Sequence, residues 1–152
     1  TNGLHPQGQT RFIDTVLKAI EKLEEQKRQI LNALTREVKQ LNPLITMILN
    51  CTTDGVDNMS SHNANSLRDA LTKFRANGGQ AILLTANMDA QQVGRKYGFS
   101  EDTSLTMDSS DPTAVTFAFD CMNTLSKEIS SGSAPTPFTP LQRELSQILP
   151  AY

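Results

Sequence analysis

Histidines and carboxylates, the residue types that most often carry chemistry, are dispersed along this chain. His5 and His62 are the two histidines, and neither has a second histidine at ligand spacing. A transition-metal site needs three or four converging ligands, so the sequence predicts no metal site. Acid–base catalysis needs two ionisable groups in environments that separate their pKa values. The carboxylates here mostly alternate with basic residues on predicted helix faces, which is typical of a solvated surface rather than of a catalytic site.

Two short polar stretches could bind an ion, but both are better explained as turns. Asp54, Asp57 and Asn58 offer oxygen ligands, yet their spacing differs from that of an EF-hand loop and no glutamate closes it. The Asn-Gly-Gly sequence at residues 77–79 could cradle an anion before a helix, but glycine also ends helices and then needs no ligand. Nucleophile-elbow, P-loop and dinucleotide-binding motifs are missing from the sequence. We therefore predict that the protein is not an enzyme and uses no cofactor.

The two cysteines, Cys51 and Cys121, lie among apolar residues and show neither CxxC spacing nor a neighbouring histidine. A free cysteine in such a setting behaves as a small hydrophobic residue. We interpret both as buried thiols, with a disulfide between them as the alternative.

One motif suggests a catalytic alternative. Leu67, Arg68 and Thr72 are similar to the Leu-Arg-x-x-x-Thr part of the arginine-finger motif in secreted bacterial GTPase-activating domains for Rho-family proteins. Those domains are small helical bundles, and the resemblance implies that Arg68 neutralises charge on the transferred γ-phosphoryl group. Asn65 stands where that family has glycine, and the family's second segment, rich in Gln, Trp and Gly, has no counterpart. The resemblance offers Arg68 and Thr72 as catalytic residues.

Composition limits the class of partner. With 152 residues the chain is long enough for one domain with its own core. A formal net charge of −2 and a pI near 5.6 argue against a nucleic-acid partner. The longest apolar run, residues 44–49, is far shorter than a membrane span, and no signal peptide is visible, so the compartment is unknown. The sequence begins with Thr1, as an excised domain would.

The longest predicted element is a helix over residues 9–42 with a heptad-spaced apolar seam. At 1.5 Å per residue it would extend roughly 50 Å, longer than a compact domain of this size. The seam therefore predicts either an elongated bundle or pairing with another chain. The seam residues that we expect to be buried in the bundle or across a dimer are Ile20, Leu23, Ile30 and Leu34.

The remaining patterns predict further helices and no strand. We expect a short buried helix over residues 44–51, a loop over 52–63, a helix from Ser66, a helix over 81–97, a polar loop over 99–110 and a helix from Asp111. Ser66 and Asp69 have the spacing of a capping box, and Asp111 precedes a proline at the first helical position. The predicted fold is therefore all-α, an elongated up-and-down bundle with one long N-terminal helix.

The predicted domain plan is a loose lead-in over residues 1–8, a helical bundle over 9–131, a Pro-rich linker over 132–139 and a short amphipathic helix over 140–152. Thr139 and Gln142 have capping-box spacing at the start of this last helix. A helix this short is not stable alone in water, so its apolar face must pack against something. The apolar residues expected to make that contact are Leu141, Leu145, Ile148 and Leu149.

These patterns predict a non-enzymatic helical module that binds another protein, or a second copy of itself, through helix faces. The expected contact residues are those of the heptad seam together with Leu141, Leu145 and Ile148. The alternatives are the GTPase-activating domain and a component of a bacterial secretion system or of a virus.

Overall fold

The computed structural model describes residues 11–41, 45–54 and 62–147, and in these the chain alternates helices with strands. The strands are β1 (Met47–Thr53), β2 (Gly79–Ala86) and β3 (Ser104–Met107). The helices are α1 (Phe12–Ala33), α2 (Arg36–Gln40), α3 (Ala64–Ala76), α4 (Ala90–Tyr97), α5 (Pro112–Ser130) and α6 (Pro140–Gln147). The prediction of an all-α bundle with a coiled-coil seam is therefore wrong.

The three strands form a parallel sheet in the order β1-β2-β3. Cys51 is paired with Leu83, and Leu83 is paired in turn with Ser104. Helix α3 connects β1 to β2, and α4 connects β2 to β3. Crossover connections between parallel strands are almost always right-handed. Because both crossovers also step in the same direction across the sheet, α3 and α4 lie on the same face, where they contact each other.

Two hydrophobic cores lie on opposite faces of the sheet. The first lies between the sheet and helices α1 and α3, and it also contains Tyr97 and Phe99. The second lies between the sheet and α5. Strand β2 contributes to both, since Ala81 and Leu83 pack in the first core whereas Ile82 and Leu84 pack in the second.

This double burial explains why residues 81–97 were wrongly predicted to be one helix. A strand that is covered on both faces carries a continuous apolar run instead of alternation, and periodicity cannot distinguish such a run from a buried helix. The run is β2, and the helix begins only at Ala90, after a short loop whose Asp89 side chain accepts bonds from the backbone N–H groups of Gln91 and Gln92.

The sequence predictions for the segments that form β1 and β3 are also wrong. Residues 44–51 were predicted to be helical, but residues 47–51 belong to β1, in which Met47, Leu49 and Cys51 point into the first core. Residues 99–110 were predicted to be a loop, but they contain a 3-10 turn, Glu101–Thr103, followed by β3. Strand β3 has four residues, too few to show a period.

Helix α1 is shorter than the predicted 34 residues because the chain leaves the helical conformation at Leu34, where ψ is 145°. Thr35 then caps α2, its hydroxyl oxygen accepting from the N–H of Val38 at 3.3 Å. Lys27, a polar residue of α1, connects this helix to α3. Its ammonium group donates to the backbone carbonyl of Asn77 at 2.8 Å. That carbonyl lies at the C-terminus of α3, where the helix dipole favours a cation.

Several helix ends are as predicted. Asp111 caps α5 and is followed by proline, and Gly98 ends α4 in the left-handed conformation. Thr139 and Gln142 form a reciprocal capping box. The N–H of Thr139 donates to the side-chain oxygen of Gln142 at 2.8 Å, and the N–H of Gln142 donates to the hydroxyl oxygen of Thr139 at 3.1 Å. Helix α3 instead begins at Ala64 with Asn63 as its cap, so the capping box predicted at Ser66 is wrong.

None of the helices in the described ranges is both long enough and apolar enough to cross a membrane.

Candidate functional site

The carboxyl ends of all three strands meet at one edge of the sheet, because the strands are parallel. Thr53 ends β1 and is followed by Asp54, Asn87 follows β2, and Asp108 follows β3. In open α/β sheets, ligands bind outside the carboxyl ends of the strands, at a point where the strand order reverses. The described order β1-β2-β3 contains no such reversal. We call this region, with its loops, the carboxyl edge.

The backbone at the end of β2 is held in an uncommon conformation. Asn87 has φ of 61°, and it is the one residue other than glycine with positive φ in the described part of the chain. The side-chain amide nitrogen of Asn87 donates to the hydroxyl of Ser109 at 2.6 Å. The side-chain amide oxygen of Asn87 accepts from the N–H of Ser109 at 3.1 Å. The N–H of Asn87 also donates to the carbonyl of Met107 at 2.9 Å. These bonds join the loops after β2 and β3 into one fixed surface.

The loop that leads into α4 is fixed in the same way. The hydroxyl of Thr85 donates to the carbonyl of Met88, and the N–H of Ala90 donates to the hydroxyl of Thr106 at 2.8 Å. Backbone strain such as the positive φ of Asn87 persists only where the surrounding structure enforces it, and it is concentrated at functional sites. The strained, cross-linked loops therefore mark this edge as the best candidate site in the described structure.

We expect Asn87→Ala to lower the free energy of unfolding by about 1–3 kcal/mol, since it removes two hydrogen bonds and leaves a Cβ at positive φ. Asn87→Gly removes the same bonds but relieves the backbone, so the alanine variant should be the less stable by about 1 kcal/mol. Urea denaturation measures both values. Equal stability of the two variants would show that the backbone at residue 87 is not strained.

Carboxylates are concentrated at this edge. Asp54 follows β1, Asp89 caps α4, and Asp108 and Asp111 follow β3. The hydroxyl and the N–H of Ser110 donate to Asp108 at 2.6 and 3.0 Å. These bonds, the hydroxyl first, lower the pKa of Asp108 below its usual value.

Two open crevices adjoin the carboxyl edge on either side of Met107. One has a volume of about 480 Å³ and lies between the loops after β2 and β3 and helix α6, which contributes Arg143 and Gln147. The other has a volume of about 680 Å³ and lies between the end of β1 and the start of α1, where Arg11, Thr15 and Asp54 line it. Both volumes fall in the range of sites that bind small molecules or peptide segments.

The chemistry of the carboxyl edge is acidic and polar. Its side chains supply negative charge, hydroxyls and an amide, and no group of three or more His, Cys, Asp or Glu side chains could hold a metal ion in residues 11–41, 45–54 and 62–147. Both cysteines are free and buried, as predicted. Burial raises the pKa of Cys51 to about 12 and raises that of Cys121 as well, so neither thiol is a ready nucleophile.

Arg68 is held against the body of the protein. Its guanidinium donates to the side chain of Asn65 and to the carbonyl of Lys96, both at 2.7 Å, and the hydroxyl of Thr72 donates to the carbonyl of Arg68 at 2.9 Å. The helical bundle that the arginine-finger resemblance implies is not the fold of this chain. No observation at Arg68 points to a γ-phosphoryl site.

The predicted contact residues are spread over the molecule. Ile20 is buried in the first core and Leu23 packs against it, whereas Ile30 is 48% exposed and Leu34 lies beyond the end of α1. Leu141 is 62% exposed, Leu145 is half-buried, and Ile148 and Leu149 lie outside the described residues. Their role in association stays a prediction.

The other candidate ligands are not brought together. His62 contacts Asp14, with 2.9 Å between Nδ1 and Oδ1, while His5, Asp57 and Asn58 lie outside the described residues. The Asn-Gly-Gly segment ends α3, as predicted, and leads into a strand instead of a helix. Gly79 is required there because a Cβ would lie 2.5 Å from the ring of Phe74.

Sequence reasoning missed the carboxyl edge because it missed the strands. A partial signal was present at Asn87, which directly follows the mainly apolar segment 81–86, whereas Asp54 and Asp108 follow segments that mix apolar and hydroxyl residues. Only a parallel sheet brings these three positions to one place.

The chain matches no protein-family model, no curated protein and no solved structure.

Proposed function

We propose that this protein is a non-enzymatic interaction module that binds a basic segment of a partner protein at the carboxyl edge of its sheet. The observation that carries the proposal is the meeting of three strand ends and four aspartates at one edge, where hydrogen bonds hold the loops after β2 and β3 in place. A surface whose shape is fixed before binding loses little conformational entropy on binding.

The sign of the charge favours a basic partner. The aspartates at the edge would repel the phosphates of a nucleic acid, and they attract lysine and arginine side chains. Asp89 and Asp111 already cap helices, but a carboxylate has two oxygens and can accept further bonds. Two arginines border the crevices, and one of them, Arg143, is engaged with the carbonyls of Ser104 and Glu101 at 2.7 and 2.9 Å.

The proposal keeps the predicted class of function and changes the surface that performs it. The heptad seam cannot be a continuous contact face, since its first half is in the core of the domain. A crevice at the end of a rigid sheet replaces it as the expected site.

Binding of a fluorescent peptide of alternating lysine and glycine tests the proposal by fluorescence anisotropy. We expect it to bind more tightly than the matching glutamate–glycine peptide, with an affinity that falls as salt is added. Asp108→Asn should weaken binding roughly two- to fivefold, the size expected for one solvent-accessible charge pair.

Asp69→Asn is the matched control, because it removes the same charge from an exposed position on α3. Equal losses for Asp108→Asn and Asp69→Asn would show only non-specific attraction to an acidic protein and would contradict the proposal. A further arm titrates magnesium chloride alone. If magnesium bound in an Asp108-dependent manner and the peptide did not, the edge would be a cation site rather than a peptide site.

A further inference from the structure

Helix α6 occupies the place where a fourth strand would pair with β3. Strand β3 pairs with β2 on one side, and its other side presents backbone groups of Ser104, Thr106 and Asp108. The guanidinium of Arg143 donates to the carbonyl of Ser104 at 2.7 Å, and the hydroxyl of Ser146 donates to the carbonyl of Thr106 at the same distance. The N–H of Asp108 donates to the carbonyl of Ser146 at 2.9 Å.

The contacts with β3 are polar. Helix α6 also packs against α5, but it buries little apolar surface of its own in the described range. Ser146 is its one buried residue in the described range, Leu141 is mostly exposed, and Leu145 is half-buried. An eight-residue helix does not persist alone in water, so α6 is helical because it is docked. Segments with few buried apolar contacts open more often than the core does.

The chain before α6 is anchored separately. Phe138 is buried in the second core, and its N–H donates to the carbonyl of Asp102 at 2.9 Å. Release of α6 can therefore begin after Phe138 and leave both cores intact.

We propose that α6 is a releasable strap that inhibits binding at the carboxyl edge. This inference depends on the proposed function, since the crevice that the strap borders is the proposed peptide site. The docked helix places the cationic Arg143 and the side chain of Gln147 in the wall of that crevice. It also holds Asp108, the carboxylate expected to contact a basic segment, through its backbone N–H. When α6 leaves, the loops after β2 and β3 stay joined through Asn87 and Ser109. Asp89 and Asp108 then lose the neighbouring positive charge of Arg143 and are open on one more side, so a basic segment should bind more tightly to the open form.

Hydrogen–deuterium exchange of the full chain tests the release without any ligand. The amide of Asp108 should exchange at least roughly tenfold faster than the amides of β2, because it opens when α6 leaves and not only on global unfolding. If the amide of Asp108 exchanged as slowly as those of β2, α6 would be a fixed part of the fold and the inference would be overturned.

Ser146→Val tests the inhibition. Ser146 is fully buried, so a bulkier side chain should displace α6 without changing the net charge. Ser133→Val is the matched control at an exposed linker position. We expect Ser146→Val, and not the control, to increase exchange at Asp108 and to tighten binding of the lysine–glycine peptide at least roughly threefold, as the released fraction rises.

Two negative results can be told apart. If Ser146→Val increased exchange at Asp108 but left peptide affinity unchanged, the strap would be releasable but not inhibitory, and the proposed function would stand. If neither the original protein nor the variant bound the peptide, the proposed function and the inhibition would both fail.

Discussion

Leu84→Ala will lower the free energy of unfolding by about 3–5 kcal/mol, because it leaves a cavity where the central strand meets α5. Leu84 is fully buried in the second core. Urea denaturation, monitored by circular dichroism, measures the change.

Leu141→Ala is the control for this prediction, because it removes the same atoms from an exposed position on α6. It should change the free energy of unfolding by no more than about 0.5 kcal/mol. A loss under about 1 kcal/mol for Leu84→Ala would contradict the assignment of residues 79–86 to a strand buried on both faces.

Gly98→Ala will lower the free energy of unfolding by about 2–4 kcal/mol, for two separate reasons. Gly98 has φ of 93°, a conformation that costs energy for a residue with a Cβ. A Cβ at this position would also lie 2.7 Å from the Cα of Arg68, so α3 and the end of α4 would have to move apart.

Gly132→Ala separates these two causes. Gly132 has φ of 91°, almost the same as Gly98, but a Cβ there would meet no atom within 4 Å. It should lose only the conformational part, about 1–2 kcal/mol. If the two variants lost equal stability in thermal or urea unfolding, the result would contradict the close packing of Gly98 against α3.

The sequence was informative where a local rule fixes the structure. Asp111 followed by proline, the Thr139–Gln142 pair and the glycines at 78 and 98 each satisfy backbone groups within a few residues, so short-range chemistry determines them.

The strands were missed because their pattern depends on contacts distant in sequence. Strand β2 carries the continuous apolar run Ala81–Leu84 because helices cover both of its faces, and nothing local to residues 79–86 records that burial. Strand β3 has only four residues, and its pairing with β2 is set by the crossover through α4. A parallel sheet is built from such long-range pairs, and the preference of a single segment cannot reveal them.

The candidate site was not predicted, because it exists only where the three strands end together. Asp54 was noticed as a turn residue, but its relation to Asn87 and Asp108 exists only once three strands end at one edge. The positive φ of Asn87 could not be predicted at all, since it is imposed by Ser109 and Met107 from the neighbouring strand end.

The most direct test of the central claim is a ¹⁵N NMR titration of the full chain with the lysine–glycine peptide. We predict that the largest shifts map to the amides at the ends of the three strands, at residues 53–54, 87–89 and 107–111, and saturate with one affinity. Shifts centred on the exposed apolar face of α1 around Ile30, or spread evenly over all acidic surfaces, would contradict the claim that the carboxyl edge of the sheet is the binding site.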